Sequence, residues 1–229
     1  MAAEFDAHAE EYAEKIEKSV RFSGAEHSFF IEEKARILRR IIRSRFGSDK
    51  VDALDVGCGH GLIVPHLASD CVHVSGCDVA EQPLAIASKA CPASSFHLQT
   101  EFDRLPFDDA SFDIAYAICV IHHVEENDWE VFVGEMSRVT KDGGLVILVE
   151  HNPINPLTQF IVKTCDLDEN ATLLWSARAI RLMRSAGMTK ITRRYILFTP
   201  FRRSIFRAFD DALHWLPLGA QYIVTGEKR

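Results

Sequence analysis

Two apolar periods divide this chain. Over the first 45 residues apolar positions recur every three or four residues, whereas from residue 51 they gather into short runs separated by helical stretches. Phe5, His8, Tyr12 and Ile16 fall near one stripe, which predicts a helix over about 3–18. The run Arg21-Phe22-Ser23-Gly24 breaks it. A second amphipathic helix is expected from about 26 to 45, with Phe29, Phe30, Ala35, Ile37, Leu38, Ile41 and Ile42 on a broad face. Gly47 stands where a terminating glycine usually stands.

The remainder alternates. Strands are expected at 51–56, 72–78, 95–98, 112–118 and 145–149, with helices from about 60 to 68, at 83–90 and at 129–139. Pro83 suits a first helical turn, and 141–144 reads as the turn before the fifth strand. Strand and helix in alternation predict an α/β fold, a parallel sheet with helices on both faces. Right-handed crossovers then gather the loops that follow the strands on one edge, where ligands bind. Beyond Glu150 the prolines of His151-Asn152-Pro153-Ile154-Asn155-Pro156 end both kinds of element. Helices at 157–164 and 177–185, a strand at 191–198, a helix at 204–213 and a last strand at 220–225 complete the pattern. No Pro, Gly and Ser stretch is long enough to separate two domains. Residues 1–47 therefore read as a helical lid packed on a main domain, 48–229, within a single domain overall.

Candidate chemistry concentrates in Leu54-Asp55-Val56-Gly57-Cys58-Gly59-His60-Gly61, a buried strand running into a glycine loop. Missing β-carbons at Gly57, Gly59 and Gly61 let backbone N–H groups approach a polar ligand. A dinucleotide fingerprint would need its third glycine at 62 or 64, where Leu62 and Val64 stand, and no Gly-Lys-Ser/Thr follows for a phosphate loop. What remains is G-x-G-x-G after an acidic residue, with Asp78 about twenty residues on, closing the next strand.

These residues resemble motif I and the acidic second-strand end of the class I S-adenosylmethionine-dependent methyltransferases, small-molecule enzymes of the ubiquinone-biosynthesis (type 11) kind. The resemblance is strongest over about 50–150. It implies a Rossmann-like, seven-stranded, mostly parallel sheet whose last strand is antiparallel, and S-adenosyl-L-methionine as cofactor. It further implies that Asp55, Gly57, Cys58, Gly59 and Gly61 border the cofactor, that Asp78 accepts from both ribose hydroxyls, and that Val79 packs near the adenosine. Gln99-Thr100-Glu101-Phe102-Asp103-Arg104-Leu105-Pro106-Phe107 resembles the family's adenine loop, so Glu101 would meet the adenine amino group. The Phe102 N–H would meet a ring nitrogen, and its side chain could stack on the adenine. Cys119, at the end of the fourth strand, would back onto the methionine portion.

His122 and His123 resemble a pattern found in the same group. One of them would take a hydroxyl proton as the methyl arrives, or would hold its loop by a backbone hydrogen bond. Adjacent histidines are not expected to face one point. His151 is a second base candidate in a loop where Asn152 could bond a sugar or carboxylate, unless the prolines serve only a rigid turn. Tyr12 and Phe22 are lid candidates, Tyr12 with a possible catalytic part. No metal site is read: His122 and His123 lie near Glu125 and Glu126, but no ligand spacing compels one.

Composition narrows the partners. A net charge of −7 argues against a general nucleic-acid binder. No apolar run approaches the roughly 20 residues of a membrane span, and the N-terminus does not read as a signal peptide. Six cysteines without a C-x-x-C pair suit a reducing, cytoplasmic setting. Arg178, Arg181, Arg184, Lys190, Arg193, Arg194, Arg202, Arg203 and Arg207 crowd the last third, as solvated faces or as the rim of a pocket for an anionic acceptor. The expected activity is methylation of a small molecule, foremost a hydroxyl of a sugar-, lipid- or quinone-like metabolite. A nicotinamide oxidoreductase of similar fold and a non-catalytic S-adenosylmethionine-binding protein stand as alternatives. The oligomeric state is not legible.

Overall fold

The computed structural model describes residues 26–165, 168 and 171–229. Helix α1 (His27–Phe46) leads into β1 (Val51–Val56), α2 (Val64–Leu67), β2 (Cys71–Asp78), α3 (Glu81–Ala90), β3 (Ser95–Leu98) and β4 (Phe112–Ile118). Two 3₁₀ turns, Ile121–His123 and Glu126–Asp128, precede α4 (Trp129–Val139). Then come β5 (Thr140–His151), α5 (Pro156–Thr164), α6 (Ser176–Ser185), β6 (Thr189–Ile196), α7 (Ser204–Ala212) and β7 (Gln221–Glu227). The expected first helix, with Tyr12 and Phe22, lies outside the described residues.

The strands form one seven-stranded sheet in the order β3-β2-β1-β4-β5-β7-β6. Pairings from β3 through β5 are parallel, and β7 is antiparallel to both of its neighbours. Strand order reverses between β1 and β4, so the loops after those strands diverge and leave a crevice at the carboxyl edge. The turn at 141–144 is absorbed into β5. It survives as a register irregularity, Phe112 pairing Thr140 and Ile114 pairing Leu145.

Alternation along the buried strands supplies two apolar faces. Leu54, Val56, Ala115, Ala117, Val146 and Leu148 meet α4 and α6 through Trp129, Val133, Met136, Ala179 and Met183. Ala53, Ile114, Tyr116, Ile147 and Val149 meet α1 and α2 through Phe29, Ala35, Leu38, Ile42, Val64 and Leu67. Full burial of each larger aliphatic side chain stabilises the fold by about 1.5–3 kcal/mol. Helix α1 is also fastened by charge: Arg39 and Arg43 donate to the two oxygens of buried Asp70 at 2.6 and 2.5 Å. Phe30, Ile31 and Lys34 from its amino-terminal half border the crevice and form its roof. Among the described residues, no helix is long and apolar enough to cross a membrane.

Candidate active site

The crevice is a cavity of about 490 Å³ bordered by the loops after β1, β2, β3, β4 and β5 and by α1 and α5. At one end stands the glycine loop. Gly57 has φ +70°, and a β-carbon there would lie 2.5 Å from Val120 Cγ1, so only glycine fits both the backbone and the neighbouring turn. Gly59, at φ +49°, has nothing within 4 Å of where a β-carbon would stand, which leaves its backbone bare toward the cavity.

The loop's N–H groups are engaged within the protein. Those of Gly57 and Cys58 donate to Cys77 O at 2.8 and 3.0 Å, and that of Gly61 to Cys58 O at 2.9 Å. The N–H of Gly59 donates to Asp78 Oδ2 at 2.8 Å. The expected N–H nest is therefore not what this loop presents, and α2, of four residues, is too short to add much dipole. Such an end suits a ligand carrying positive charge better than a pyrophosphate, which demands several free donors.

Asp78 closes β2 and borders the cavity, its second oxygen accepting from Ala80 N at 3.0 Å. Two backbone donors fix its plane and leave each oxygen further lone-pair capacity for a diol. Burial raises its pKa despite those donors. Asp55 lies behind it, 4% exposed, and burial, with the Asp78 charge adding, pushes its carboxyl up to about 8. Cys58 and Val79 also line the cavity. The adenine loop differs from expectation. Gln99 N donates to Asp78 O at 2.8 Å, and Gln99 Nε2 reaches Glu101 O at 3.0 Å. This wrap brings Gln99 and the Phe102 ring to the cavity and leaves the Glu101 carboxylate exposed and outside the lining.

At the other end the loop after β4 folds into the 3₁₀ turn Ile121–His123. Cys119 enters it at φ +56°, a strained conformation for a non-glycine residue, held by its N–H on Val149 O at 2.8 Å. Its sulfur accepts from Gln221 Nε2 at 3.2 Å, and Lys34 Nζ lies 3.8 Å away. Burial opposes the thiolate, but Lys34 and His151 lower the pKa overall. The tight turn sets the adjacent rings of His122 and His123 side by side, centroids 4.2 Å apart, so both do face one point. That point is Asp168 Oδ1, 3.5 Å from His122 Nε2 and 3.4 Å from His123 Nε2.

His122 is 1% exposed, and its Nδ1 donates to Glu150 Oε2 at 2.6 Å. Glu150 Oε1 also accepts from Val120 N and Ile121 N at 2.9 and 3.0 Å. Burial works against charge on His122, but Glu150 and Asp168 outweigh it and hold its pKa well above the usual range. His122 therefore stands as an imidazolium held by carboxylates, unsuited to accept a proton. Burial and the charge of His122 push His123 down to about 4. Burial would do the same to His151, yet Cys119 raises it. All three histidines line the cavity, and of them His123 and His151 are the ones not held as an imidazolium between two carboxylates.

Several expectations are corrected. Asn152 is 1% exposed and fully engaged: Nδ2 donates to Pro217 O and Gly219 O, and Oδ1 accepts from Ile154 N. It latches a loop instead of meeting substrate. None of the nine basic residues of the last third lines the cavity, whose one Lys or Arg among the described residues is Lys34. Instead Arg178 pairs with Glu126, Lys190 with Glu227, Arg202 with Glu32 and Arg207 with Glu33. The metal expectation also changes. Among the described residues His122, His123 and Asp168 bring one ligand atom each to within 4.8 Å of one another, without Glu125 or Glu126.

Asp168, Glu150, Gln99, Gln221 and Lys34 are the site residues that sequence reasoning missed. Glu150 alone carried a signal, a carboxylate ending an otherwise apolar strand run.

Residues 54–148 match the profile of a family described as a methyltransferase domain. Ajmaline N-methyltransferase of Rauvolfia serpentina is 31% identical over 104 residues, 43% of this chain and 35% of that protein. A ubiquinone biosynthesis O-methyltransferase of Maricaulis maris is 30% identical over 103 residues, 43% of this chain and 40% of that protein. The chain thus matches well under half the length of these curated relatives. A crystal structure from Thermotoga maritima, described as a SAM-dependent methyltransferase and possible histamine N-methyltransferase, superposes with a TM-score of 0.71 at 20% identity, each chain covered in full. That likeness concerns the fold.

Proposed function

We propose that this chain, whose residues 54–148 match a methyltransferase domain, is a class I S-adenosylmethionine-dependent methyltransferase that takes S-adenosylmethionine as cofactor and methylates a hydroxyl of a small-molecule acceptor. The observation that carries the reading is the continuity of one cavity from Gly57, Gly59 and Asp78 to His123, His151 and Asp168. Donor and acceptor would share a space walled by Phe30, Ile31, Phe132, Ile161 and Leu197. Those walls favour a lipid- or quinone-like acceptor over a highly charged one.

When bound, the cofactor supplies an electrophilic sulfonium methyl. Asp55 and Asp78 offer carboxyl groups at the end where its positive charge and diol would sit. The apolar walls hold the acceptor against it and exclude water. Orientation of this kind lowers a barrier by about 7–11 kcal/mol, and a placed proton acceptor adds about 10²–10⁴-fold. As the acceptor oxygen bonds to the methyl, the S–CH₃ electron pair stays on sulfur. The hydroxyl proton leaves toward the imidazoles facing the cavity. The engaged N–H groups of the glycine loop support this reading over a nicotinamide oxidoreductase.

The test is transfer from methyl-labelled S-adenosylmethionine to a panel of phenols, sugars and prenylated hydroxy compounds, with protein and tRNA fractions alongside. A labelled methyl ether is expected. Label confined to protein or tRNA, or S-adenosylhomocysteine binding without turnover on any acceptor, would overturn the proposal.

A further inference from the structure

We propose that His122, His123 and Asp168 bind a divalent transition-metal cation at the acceptor end of the cavity, with Glu150 as the outer carboxylate that orients His122. Two nitrogens and one oxygen converge there from two separate stretches of chain. Four-coordinate zinc, with ligands at about 2.0–2.1 Å, keeps neighbouring ligand atoms about 3.4 Å apart. The separations of His122 Nε2 and His123 Nε2 from Asp168 Oδ1, 3.5 and 3.4 Å, match that edge and are long for a direct hydrogen bond.

The second observation is His122 Nε2 itself. It is buried without a hydrogen-bond partner and points into the cluster. Leaving such an atom unsatisfied costs about 1–3 kcal/mol. In the metal-free chain that nitrogen carries the imidazolium proton; a metal ion would displace the proton to solvent, leave a neutral imidazole held by Glu150, and supply the missing partner. The opposite ring nitrogen already has the partner that metal-bound histidines favour, a carboxylate that fixes ring orientation, here Glu150 at 2.6 Å.

The surroundings hold this geometry without help from solvent. Trp129 Nε1 donates to Ile121 O and Val124 O, both at 2.9 Å, clamping the histidine turn. Thr172 N donates to His122 O at 2.8 Å, tying the strand of chain beyond Asp168 to the same turn. Three protein ligands leave a fourth position, and His123 and Asp168 border the cavity. An open position is the mark of a catalytic metal and not of a structural one. Two imidazoles and a carboxylate select a cation of the zinc, cobalt or iron type over magnesium or calcium. Methyl transfer moves no net electrons, so redox-inert zinc suffices.

Binding of the metal does not depend on the proposed acceptor; its use does, and there it rests on the hydroxyl reading. The acceptor hydroxyl would take the fourth position and release its proton to bulk water. Its oxygen would then form the O–CH₃ bond as the S–CH₃ pair returns to sulfur, the cation unchanged. His123 is in that arrangement a ligand, not a base.

The experiment titrates the full chain, dialysed against EDTA, with Zn²⁺ by calorimetry and with Co²⁺ by visible absorption. One equivalent bound, with the intense d–d bands of a four-coordinate ion, is expected. Asp168→Asn and His123→Ala should each weaken binding at least 100-fold, and Glu150→Gln about 10–100-fold. S-adenosylhomocysteine calorimetry on each variant reports whether the fold persists. Absence of a stoichiometric Co²⁺ site would overturn the inference, as would Asp168→Asn and His123→Ala variants that bind Co²⁺ like the parent. A wild-type chain that binds Co²⁺ but not S-adenosylhomocysteine would instead overturn the methyltransferase reading and leave the metal site standing.

Discussion

Asp55 and His122 are both buried ionisable groups, yet burial decides only one of them. Among the described residues no cation lowers Asp55, so desolvation, opposed by the Tyr116 hydroxyl and helped by the Asp78 charge, pushes it up to about 8. His122 has Glu150 against one nitrogen and Asp168 beside the other, and it stays charged. A raised carboxyl contributes to stability fully below its unfolded value and loses that contribution as pH rises. The ligand-free protein should therefore lose stability between about pH 4 and 8 through Asp55. A cofactor bearing an ammonium favours the ionised form, so its binding at pH 7 should release up to about one proton from Asp55. Calorimetry of S-adenosylhomocysteine in two buffers of different ionisation enthalpy measures this. The buffer dependence should vanish in Asp55→Asn, and a parent protein with no buffer dependence would refute the coupling.

Short turns between elements decide where the chemistry lies. The glycine loop and the turn after β4 meet at Gly57 and Val120, where a β-carbon would come to 2.5 Å. Gly57→Ala should lower S-adenosylhomocysteine affinity at least about tenfold and cost about 1–3 kcal/mol of stability, from the clash and from φ +70°. Pairing it with Val120→Ala should recover part of the loss, since the clash is relieved and the strain is not. Equal loss in the double variant, by calorimetry and urea unfolding, would show that the contact carries no weight.

Across the whole molecule α1 joins the roof of the cavity to the sheet, and Asp70 is the clasp. Arg39 and Arg43 hold its carboxylate down to about 2 despite partial desolvation. With the folded value below the unfolded one, the clasp contributes fully above about pH 4 and is lost as pH falls toward 2. Both arginines are partly exposed, so solvent screening keeps the contribution to about 1 kcal/mol or less. Asp70→Asn should lower the urea midpoint at pH 7 and flatten the acid limb of stability against pH. An unchanged acid limb would mean that α1 is held by its apolar face alone.

Local sequence determined the sheet, the glycine loop, Asp78 and the carboxyl edge as the ligand side. Each rests on a period of two or four residues, or on a short run whose sterics are settled within the run itself. Most element bounds shifted by only one or two residues for the same reason; the exceptions are α2, which starts at Val64 instead of about 60, and β5, which absorbs the 141–144 turn and starts at Thr140. Tertiary structure alone decided what each polar group meets. Asn152 looked like a ligand contact until the 217–219 loop came to it. The basic last third could be read as solvated faces or as a pocket rim, and acids from distant segments that pair with it decide for the former. Asp168 had no local sign of function, because its partners stand 45 and 46 residues earlier in the chain. Hydrogen bonds and ion pairs act over about 3 Å, and which groups come that close is set by the closure of the fold and not by neighbours along the chain.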